Sequence, residues 1–273
     1  IDRPEKIVYV VGLGPGEPFY MTQQAANTLE SVDAICGYKV YLDLIRDEFP
    51  CEEYYATGMT QEIDRCRWAL ETAQSGKTVA LVCSGDAGVY GMASPLLELA
   101  QGYPSVTVEI VPGLTAALSG GAVLGAPLAH DFCVISLSDR LTPWTVIENR
   151  LACAAMGDFC AALYNPSSKG RADYLQKAVR ILLQNGKAPQ TICGIVRNIG
   201  REGQAASLLT LAELEAVGRA AVLIPSPNVA ENHQYYNAME LQKAGAAVVI
   251  EEKDLTGEKL VQTVSAMLAQ PGK

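Results

Sequence analysis

Short apolar runs alternate along the chain with segments that have the 3.6-residue periodicity of helices. The runs are rich in Val, Ile and Leu and end in turn residues, as in "KIVYVVGLG", "VDAICG", "KTVALVCSGDAG", "SVTVEIVPG", "FCVISLS", "FCAALYNP" and "QTICGIVRN". Strands that are apolar on both faces are typical of parallel sheets covered by helices. The alternation therefore predicts an α/β fold with a largely parallel sheet.

The segments between these strands predict helices, and several begin with residues that commonly cap a helix. Thr22 is the expected N-cap of "MTQQAANTLESV", and Thr60 is that of "TQEIDRCRWALETAQSG". In "TPWTVIENRLACAAM" we expect Thr142 at the cap and Pro143 at the first helical position. Further helices are predicted over "YGMASPLLELAQG", "LTAALSGGAVLGAPL" and "GRADYLQKAVRILLQNG".

The domain organisation follows from a break at "VPG" (111–113), after which the strand–helix pattern restarts. We expect an N-terminal α/β domain over 1–112 and a second α/β domain over 113–217. A β-α-β-α tail over 218–273 would pack on the second domain and complete it. Two α/β lobes joined in this way leave a cleft between them, and such clefts are common ligand sites.

The amino-acid composition indicates which partners, cellular location and metal sites to expect. The formal net charge is −9, which argues against nucleic acid and anionic membrane surfaces as partners. No apolar run approaches the ~20 residues that span a bilayer, and the first residues lack a signal-peptide pattern, so a cytoplasmic location is expected. The eight cysteines show no C-x-x-C spacing and mostly sit inside apolar runs, which predicts buried, reduced thiols. Only His130 and His233 are histidines, so no metal site is expected.

The glycine-rich stretch "VVGLGPGEPFYMT" (10–22) raises the question of a dinucleotide-binding loop. That fingerprint is G-x-G-x-x-G leading directly into a helix. Here the glycines are Gly12, Gly14 and Gly16, Glu17 stands where the third glycine is needed, and the helix begins only near Thr22. The stretch is therefore not a dinucleotide fingerprint; a tight turn without a ligand and a loop for another chemistry both remain open.

Other loops occupy equivalent places in the pattern. "SGDAGVYGMA" (84–93), "VPGLTAA" (111–117) and "LYNP" (163–166) each follow a predicted strand. The carboxyl ends of parallel strands form the ligand-binding edge of an α/β sheet. Each loop alone is common turn chemistry, but the set in this order is specific.

Together with "VGLGPG", these loops resemble the tetrapyrrole methyltransferases that use S-adenosylmethionine. The resemblance covers about residues 5–215. It is closer still to the branch that methylates C17 of a corrin precursor and contracts the ring, through "CSGDAGVYGMASPLLELA", "GAPLAHDFCVISLSDRLTPWTVIENRL", "LYNPSSKGRADYLQKA" and "GIVRNIGREGQ". It implies a fold of two α/β lobes, a homodimer, and a glycine loop beside the tetrapyrrole.

The resemblance also implies where the ligands lie. The cofactor site would comprise Gly85, Asp86, Gly88, Val89, Thr115, Ala116, Tyr164, Asn165, Val196 and Arg197. The polycarboxylate substrate would meet Gly14, Pro15, Gly16 and Arg140, with Arg197 as a further cation in a matched motif. Other cations in or beside predicted loops are candidates for the same rim but are also compatible with ordinary solvated charges; they are Lys39, Lys169, Arg171 and Arg201. Asp86, expected to be exposed to the cleft, is also compatible with a turn-capping role, and Tyr164 with a plain aromatic residue at the end of a strand.

Methyl transfer from a sulfonium to carbon needs no metal, so such a protein mainly positions the partners and excludes water. Ring contraction also moves protons, and His130, Asp131 and Asp139 are the candidate acids or bases. Nothing in the sequence selects one of them.

The tail departs from this family. From about Gly218 it resembles the carboxy-terminal part of the lipid II-forming N-acetylglucosaminyltransferase, whose "NHQ…NA" stretch helps to hold UDP-N-acetylglucosamine. The corresponding residues are Asn232, His233, Gln234, Asn237 and Ala238. A hybrid chain is indicated. The open alternatives are a hybrid without turnover and a UDP-sugar-binding protein; we expect the tail to be a structural replacement.

Overall fold

The structure, a computed structural model, describes residues 6–166, 173–217, 222–223, 248–250, 254, 256–259 and 262–263. Its strands are β1 (Ile7–Gly12), β2 (Ala34–Tyr38), β3 (Glu53–Thr57), β4 (Thr78–Cys83), β5 (Thr107–Val111), β6 (Phe132–Ser136), β7 (Cys160–Tyr164), β8 (Ile192–Arg197), β9 (Ala205–Thr210), β10 (Val222–Leu223) and β11 (Val248–Val249). Its helices are α1 (Gln23–Ser31), α2 (Lys39–Leu42), α3 (Glu62–Gln74), α4 (Ala93–Ala100), α5 (Ala116–Val123), α6 (Trp144–Met156), α7 (Tyr174–Gln184) and α8 (Leu211–Val217). The predicted α/β class is confirmed.

Five parallel strands form the main sheet, in the order β3-β2-β4-β1-β5. In the register of this sheet Gly12 lies opposite Cys83, and Val11 lies opposite both Val82 and Val111. The strands β4, β1 and β5 therefore end side by side. This carboxyl edge places the loops after these three strands next to one another.

The main sheet is buried on both faces because its strands are apolar at consecutive positions. On one face Val8, Val10 and Leu81 pack against α3 and α4. On the other face Val11 and Val82 pack with residues of α1 and α2. Each fully buried aliphatic side chain contributes about 1.5–3 kcal/mol. The two layers of helices fix the sheet, and so fix the positions of its carboxyl-edge loops.

The chain divides into two compact units, Ile1–Asp131 with Gly194–Ser207, and Phe132–Cys193 with Leu208–Lys273. The main sheet belongs to the first unit and ends at Val111, where the sequence predicts the end of a domain. The segment 113–131 nevertheless packs with the first unit, and so does 194–207. The domain limits 1–112, 113–217 and 218–273 stay a prediction.

In the second unit, β6 and β7 pair in parallel, with Phe132 opposite Cys160 and Ser136 opposite Tyr164. The helix α6 contacts β6 and α7, and α7 contacts α8. Ile147 and Leu151 of α6 are fully buried, as is Val179 of α7. The strands β8 and β9 form another two-stranded sheet.

Two of the expected helix starts are wrong by a residue. Thr22 is the N-cap of α1 as predicted, and its Oγ1 accepts from the Ala25 N–H at 3.1 Å. Thr60 has φ +68°, so Gln61 becomes the N-cap of α3. Pro143 is the N-cap of α6 rather than its first helical residue. The sequence pattern does not predict α2, β3, β9 or α8. Of these, α2 is a single turn, and β3 is a short edge strand that begins with Glu53.

The described part of the tail contains one parallel pair, in which Val222 lies opposite Val248. Both strands fall where strands are predicted. Among the described residues this pair forms its own sheet and does not extend β6 and β7, contrary to the expectation that the tail adds to the sheet of the second domain. The predicted helix over 231–245, with His233 and Gln234, lies outside the described residues. Within the described ranges no helix is both long and apolar enough to cross a membrane.

Candidate active site

The glycine loop after β1 and the loop after β4 are joined by their backbones. The Leu13 N–H donates to the Cys83 carbonyl at 2.9 Å. Gly14 and Gly85 then exchange two hydrogen bonds, of 3.0 and 2.8 Å, as an antiparallel bridge. Both glycines have positive φ, of +74° and +71°, which explains why glycine is needed at each. The two loops therefore form one continuous surface at the carboxyl edge.

Three glycines lie where the loops after β4, β1 and β5 come together. A Cβ atom on Gly12 would lie 2.7 Å from the Gly85 carbonyl oxygen, and one on Gly113 would lie still closer to it. We call Gly12, Gly85 and Gly113 the glycine crossing. Glycine is required here because backbone meets backbone. The stretch "VGLG" thus serves loop packing in this fold, which accounts for its departure from the dinucleotide fingerprint.

Asp86 bridges two of these loops. Its Oδ1 accepts from the Gly88 N–H at 2.8 Å, and its Oδ2 accepts from the Gly113 N–H at 2.9 Å. The side chain is half-buried. Both of its oxygens accept from backbone amides, which fits the turn-capping role that the sequence left open, and its place in the cofactor site stays a prediction.

The other sequence-predicted cofactor residues of the first unit border this bridge. Gly88 and Val89 follow Asp86 in the same loop, and the Val89 N–H lies 3.4 Å from the Asp86 carbonyl. Thr115 is the N-cap of α5 and Ala116 its first residue. A Cβ atom on Gly85 would lie 3.7 Å from the Thr115 Cα, so the β4 loop lies close to the start of α5.

The helix α5 is built from small residues, which lets its neighbours approach closely. Ser119, Gly120 and Gly121 are buried. A Cβ atom on Gly120 would lie 3.3 Å from Ile199 and 3.8 Å from Val196. Val196 therefore packs on α5, whereas Arg197 is exposed.

A turn over residues 198–204, which we call the 198–204 turn, lies on the Gly14-Pro15-Gly16 loop. The Glu17 N–H donates to the Gly200 carbonyl at 3.0 Å, and Arg201 Nε donates to the Pro15 carbonyl at 3.0 Å. A Cβ atom on Gly16 would collide with the Gly200 carbonyl, and one on Gly200 with the Tyr20 ring. The expected substrate loop is thus held by a segment far away in the sequence.

The carboxyl ends of β6 and β7 bring together the predicted residues of the second unit. Asn165, with φ +52°, donates from Nδ2 to Ser136 Oγ at 3.0 Å. The Leu137 N–H donates to the Tyr164 carbonyl at 2.9 Å, and Tyr164 is half-buried. Arg140, in the following loop, is exposed. Ser136 is not among the predicted site residues, although its place at a strand end next to "LYNP" could have indicated it.

The candidate acids and bases differ in their surroundings. His130 and Asp131 are both exposed. Asp139 is half-buried, and its Oδ2 accepts from the Tyr174 hydroxyl at 2.6 Å. The Tyr174 ring packs on Trp144 with centroids 4.6 Å apart. Asp139 is thus held in place by a phenol that sequence reasoning missed, and no geometry selects among the three candidates.

The cysteines are free thiols, but the expectation that they are buried holds only for Cys36, Cys66 and Cys83. Cys83 ends β4 directly before the site, and burial raises its pKa to about 11. Burial likewise raises the pKa of Cys66 to about 12. Because the thiolate is the reactive form, both thiols stay protonated and inert at neutral pH. Cys153, by contrast, is exposed.

The sequence matches the family model of the Tetrapyrrole (Corrin/Porphyrin) Methylases over residues 7–235. The chain belongs to this family of methylases. A probable cobalt-factor III C(17)-methyltransferase of Salmonella typhimurium is 44% identical over 207 residues, which are 76% of this chain and 86% of that protein.

Two solved structures of tetrapyrrole methylases are similar to the chain. The crystal structure of the methyltransferase CobJ has a TM-score of 0.71 and 38% identity, and covers 76% of this chain and 87% of its own. The uroporphyrin-III C-methyltransferase of Thermus thermophilus, complexed with S-adenosylhomocysteine, has a TM-score of 0.59 and 24% identity over 77% of this chain and 91% of its own. The second likeness shows the fold alone.

A second family model covers the tail. Residues 206–273 match the Glycosyltransferase family 28 C-terminal domain, and this match overlaps the methylase match over 206–235. The resemblance of the tail to a glycosyltransferase is thereby confirmed for these residues. Because the match covers only the tail of the chain, it is a local similarity within a tetrapyrrole methylase.

Proposed function

We propose that the chain transfers a methyl group from S-adenosylmethionine to C17 of a corrin precursor, with contraction of the ring, on the route to cobalamin. The observation that carries this proposal is the 44% identity to the Salmonella typhimurium protein, of which the chain spans 86%. The match to the family of tetrapyrrole methylases, together with loops that resemble those of its S-adenosylmethionine-dependent members, supports S-adenosylmethionine as the donor.

The residues of the first unit fit a nucleoside-bearing ligand. The loop after β4 contributes Gly85, which packs against Gly14, and the exposed Gly88, whose backbone a ligand can approach because it has no side chain. Thr115 and Ala116 are small and leave space at the start of α5. In this proposal these residues, with Asp86, Val89, Val196 and Arg197, contribute to the cofactor site. The family resemblance also assigns Tyr164 and Asn165 to cofactor binding.

S-adenosylmethionine supplies a methyl group on a positively charged sulfur. The chain itself has to orient the two reactants and exclude water, which are effects of position rather than of a reactive side chain. Gly14, Pro15 and Gly16 would border the tetrapyrrole, and Arg140, Arg197 and Arg201 would meet its carboxylates. Asp139, His130 and Asp131 stay the candidates for the proton transfers of ring contraction.

The first experiment is calorimetric titration with S-adenosylhomocysteine. Saturable binding of one molecule per chain is expected, and its absence would contradict the proposal. Turnover is then tested with S-adenosylmethionine and the corrin precursor, in cobalt-containing and cobalt-free forms, by following the gain of one methyl group by mass spectrometry. Binding without methyl transfer would identify a hybrid chain that has lost turnover.

A second candidate function, binding of a UDP-sugar, is favoured only by the tail. The match to the glycosyltransferase domain covers 206–273. A UDP-sugar site needs groups from several strand-end loops, and this fragment supplies few of them. We propose that the tail is structural, and we expect no binding in a titration with UDP-N-acetylglucosamine. Saturable binding that disappears in Gln234→Ala would contradict this.

We further propose that the chain is a cytoplasmic homodimer. The family resemblance supports this proposal. Light scattering of the purified protein over a range of concentrations would test it. A monomer mass throughout that range would contradict the dimer.

A further inference from the structure

The two carboxylate oxygens of Asp86 are both engaged in backbone hydrogen bonds, and one of these bonds spans the end of β1. Oδ1 accepts from Gly88 in the same loop, whereas Oδ2 accepts from Gly113 in the loop after β5. Between β4 and β5 in the sheet lies β1. We propose that the Asp86 side chain has a positioning role in the cofactor site: its carboxylate holds the loop that carries Thr115 and Ala116 and makes no contact with the cofactor itself.

The loop after β5 needs such a tie because β5 is an edge strand. It pairs only with β1, and most of its residues are exposed or half-buried. Besides the Asp86 bond, the described hydrogen bonds of 112–113 include one from Thr22 Oγ1 to the Pro112 carbonyl, at 3.1 Å. Without the Asp86 side chain, the loop that leads into α5 would lose its hydrogen bond to the loop after β4. The ligand would then have to order this loop on binding, which weakens affinity.

The hydrogen-bonding chemistry of the Asp86 carboxylate predicts an order of cofactor affinities for two variants. A carboxylate is acceptor-only, so both oxygens suit N–H donors. In Asp86→Asn the amide oxygen can keep one of the two bonds, but the NH₂ group faces the other N–H. Asp86→Ala removes both bonds. A positioning role therefore predicts that Asp86→Asn lies between the wild type and Asp86→Ala in affinity, and it supplies a second variant if alanine impairs folding.

Asp33 provides a matched control at the opposite end of β4. Its Oδ2 accepts from the Thr78 N–H at 2.7 Å and from Thr78 Oγ1 at 2.8 Å. Asp33 thus also makes two hydrogen bonds that join separate segments of the same sheet, but at the amino edge. Asp33→Ala and Asp86→Ala should each lower the melting temperature, by about 5 °C. Only Asp86→Ala should change cofactor affinity.

The experiment measures Kd by calorimetry for S-adenosylhomocysteine and for 5′-methylthioadenosine, which lacks the amino-acid part. Asp86→Ala is expected to raise both Kd values by the same factor, about tenfold. Asp33→Ala should leave both within twofold of wild type. A loss confined to S-adenosylhomocysteine would show that Asp86 contacts its amino group, and an equal loss in Asp33→Ala would show a general effect of stability. Either result overturns the proposal.

Hydrogen exchange of the ligand-free protein tests the positioning directly. In Asp86→Ala the amides of 112–116 should exchange faster, while those of β1 and β4 keep their protection. Unchanged exchange at 112–116 would overturn the proposal. The inference rests on the proposed function. If wild-type protein binds no S-adenosylhomocysteine, both fail; if wild type binds and Asp86→Ala binds equally well, only the inference fails.

Discussion

At the amino edge of the main sheet Asp33 joins β2 to the start of β4, and at the carboxyl edge Asp86 joins the loops after β4 and β5. The two aspartates have similar roles, whereas the glycines at the two edges have very different surroundings. At the amino edge Gly76 follows α3 with φ +102° and has open space around the position of its missing Cβ. At the carboxyl edge Gly12 and Gly113 have backbone atoms less than 3.0 Å from that position.

This difference separates two reasons for glycine in one sheet. Gly76 ends a helix in a conformation that other residues adopt only with strain. The glycine crossing instead removes side chains so that three loops can touch. Such close packing fixes the loops in the absence of a ligand, and preorganised loops lower the cost of binding. The carboxyl edge is therefore the specialised one, and variants at the two edges should behave differently.

Gly113→Ala should destabilise the fold more than any other single substitution proposed for the two edges. Its Cβ would meet the backbone of Gly85 and Gly12, which cannot move without shifting β4 or β1. We expect a loss of about 3 kcal/mol in the free energy of unfolding, measured by urea denaturation. Gly102→Ala, in the turn after α4, is the control, because its Cβ would lie an ordinary 3.5 Å from the Leu99 carbonyl. Equal stabilities of the two variants would contradict the glycine crossing.

The sequence predicts which loops matter but not how they touch. The strand ends, the "GD" turn and the start of α5 follow from local patterns, because each depends on neighbours along the chain. The bond from Asp86 to Gly113 depends on the order of strands, in which β1 lies between β4 and β5. That order is set by packing of the whole sheet, so a local pattern could not reveal the bond.

The contacts of the 198–204 turn could be predicted from local sequence patterns even less. Arg201 appears in the sequence as one cation among several, and the expected domain limits assign it to the second domain. In the structure it belongs to the first unit and bonds to Pro15, 186 residues away. No periodicity connects two loops at such a separation. Only the resemblance to a family, which encodes the fold as a whole, could place both near one ligand.

Arg201→Ala should affect substrate binding at the carboxyl edge but not cofactor binding. It removes the Nε donor to the Pro15 carbonyl and a cation beside the proposed substrate loop. We expect KM for the tetrapyrrole to rise about tenfold, because a hydrogen bond and a charge contact are lost together, while Kd for S-adenosylhomocysteine stays unchanged. Arg67→Ala on α3, where Arg67 is exposed beside Asp64, is the matched control. A weaker cofactor affinity with unchanged KM would assign Arg201 to the other ligand.

Thr22→Ala should have a smaller effect on stability. Its Oγ1 caps α1 by accepting from Ala25 and also donates to the Pro112 carbonyl at the carboxyl edge. Loss of this cap should cost about 1 kcal/mol in urea denaturation, and Thr22→Ser should keep most of it. Ser31→Ala, at the other end of α1, is the control, because Ser31 Oγ donates only to the Thr28 carbonyl of its own helix. If Thr22→Ala and Ser31→Ala cost the same, the link to the β5 loop contributes nothing.

The smallest expected effect is the pH dependence that Asp33 gives to the amino edge. The Thr78 N–H, and then the Thr78 hydroxyl, hold the pKa of Asp33 below its ordinary value. A lowered pKa in the folded state means that Asp33 stabilises the fold above the unfolded-state pKa of about 3.9, and that this contribution is lost as the pH falls through the folded-state pKa. The difference in unfolding free energy between wild type and Asp33→Asn should therefore be constant near neutral pH and shrink below about pH 4. Urea denaturation between pH 3 and 7 measures it, with exposed Asp47→Asn as the control. A difference that stays the same down to pH 3 would mean that the stabilisation of the fold by Asp33 does not depend on the charge of its carboxylate.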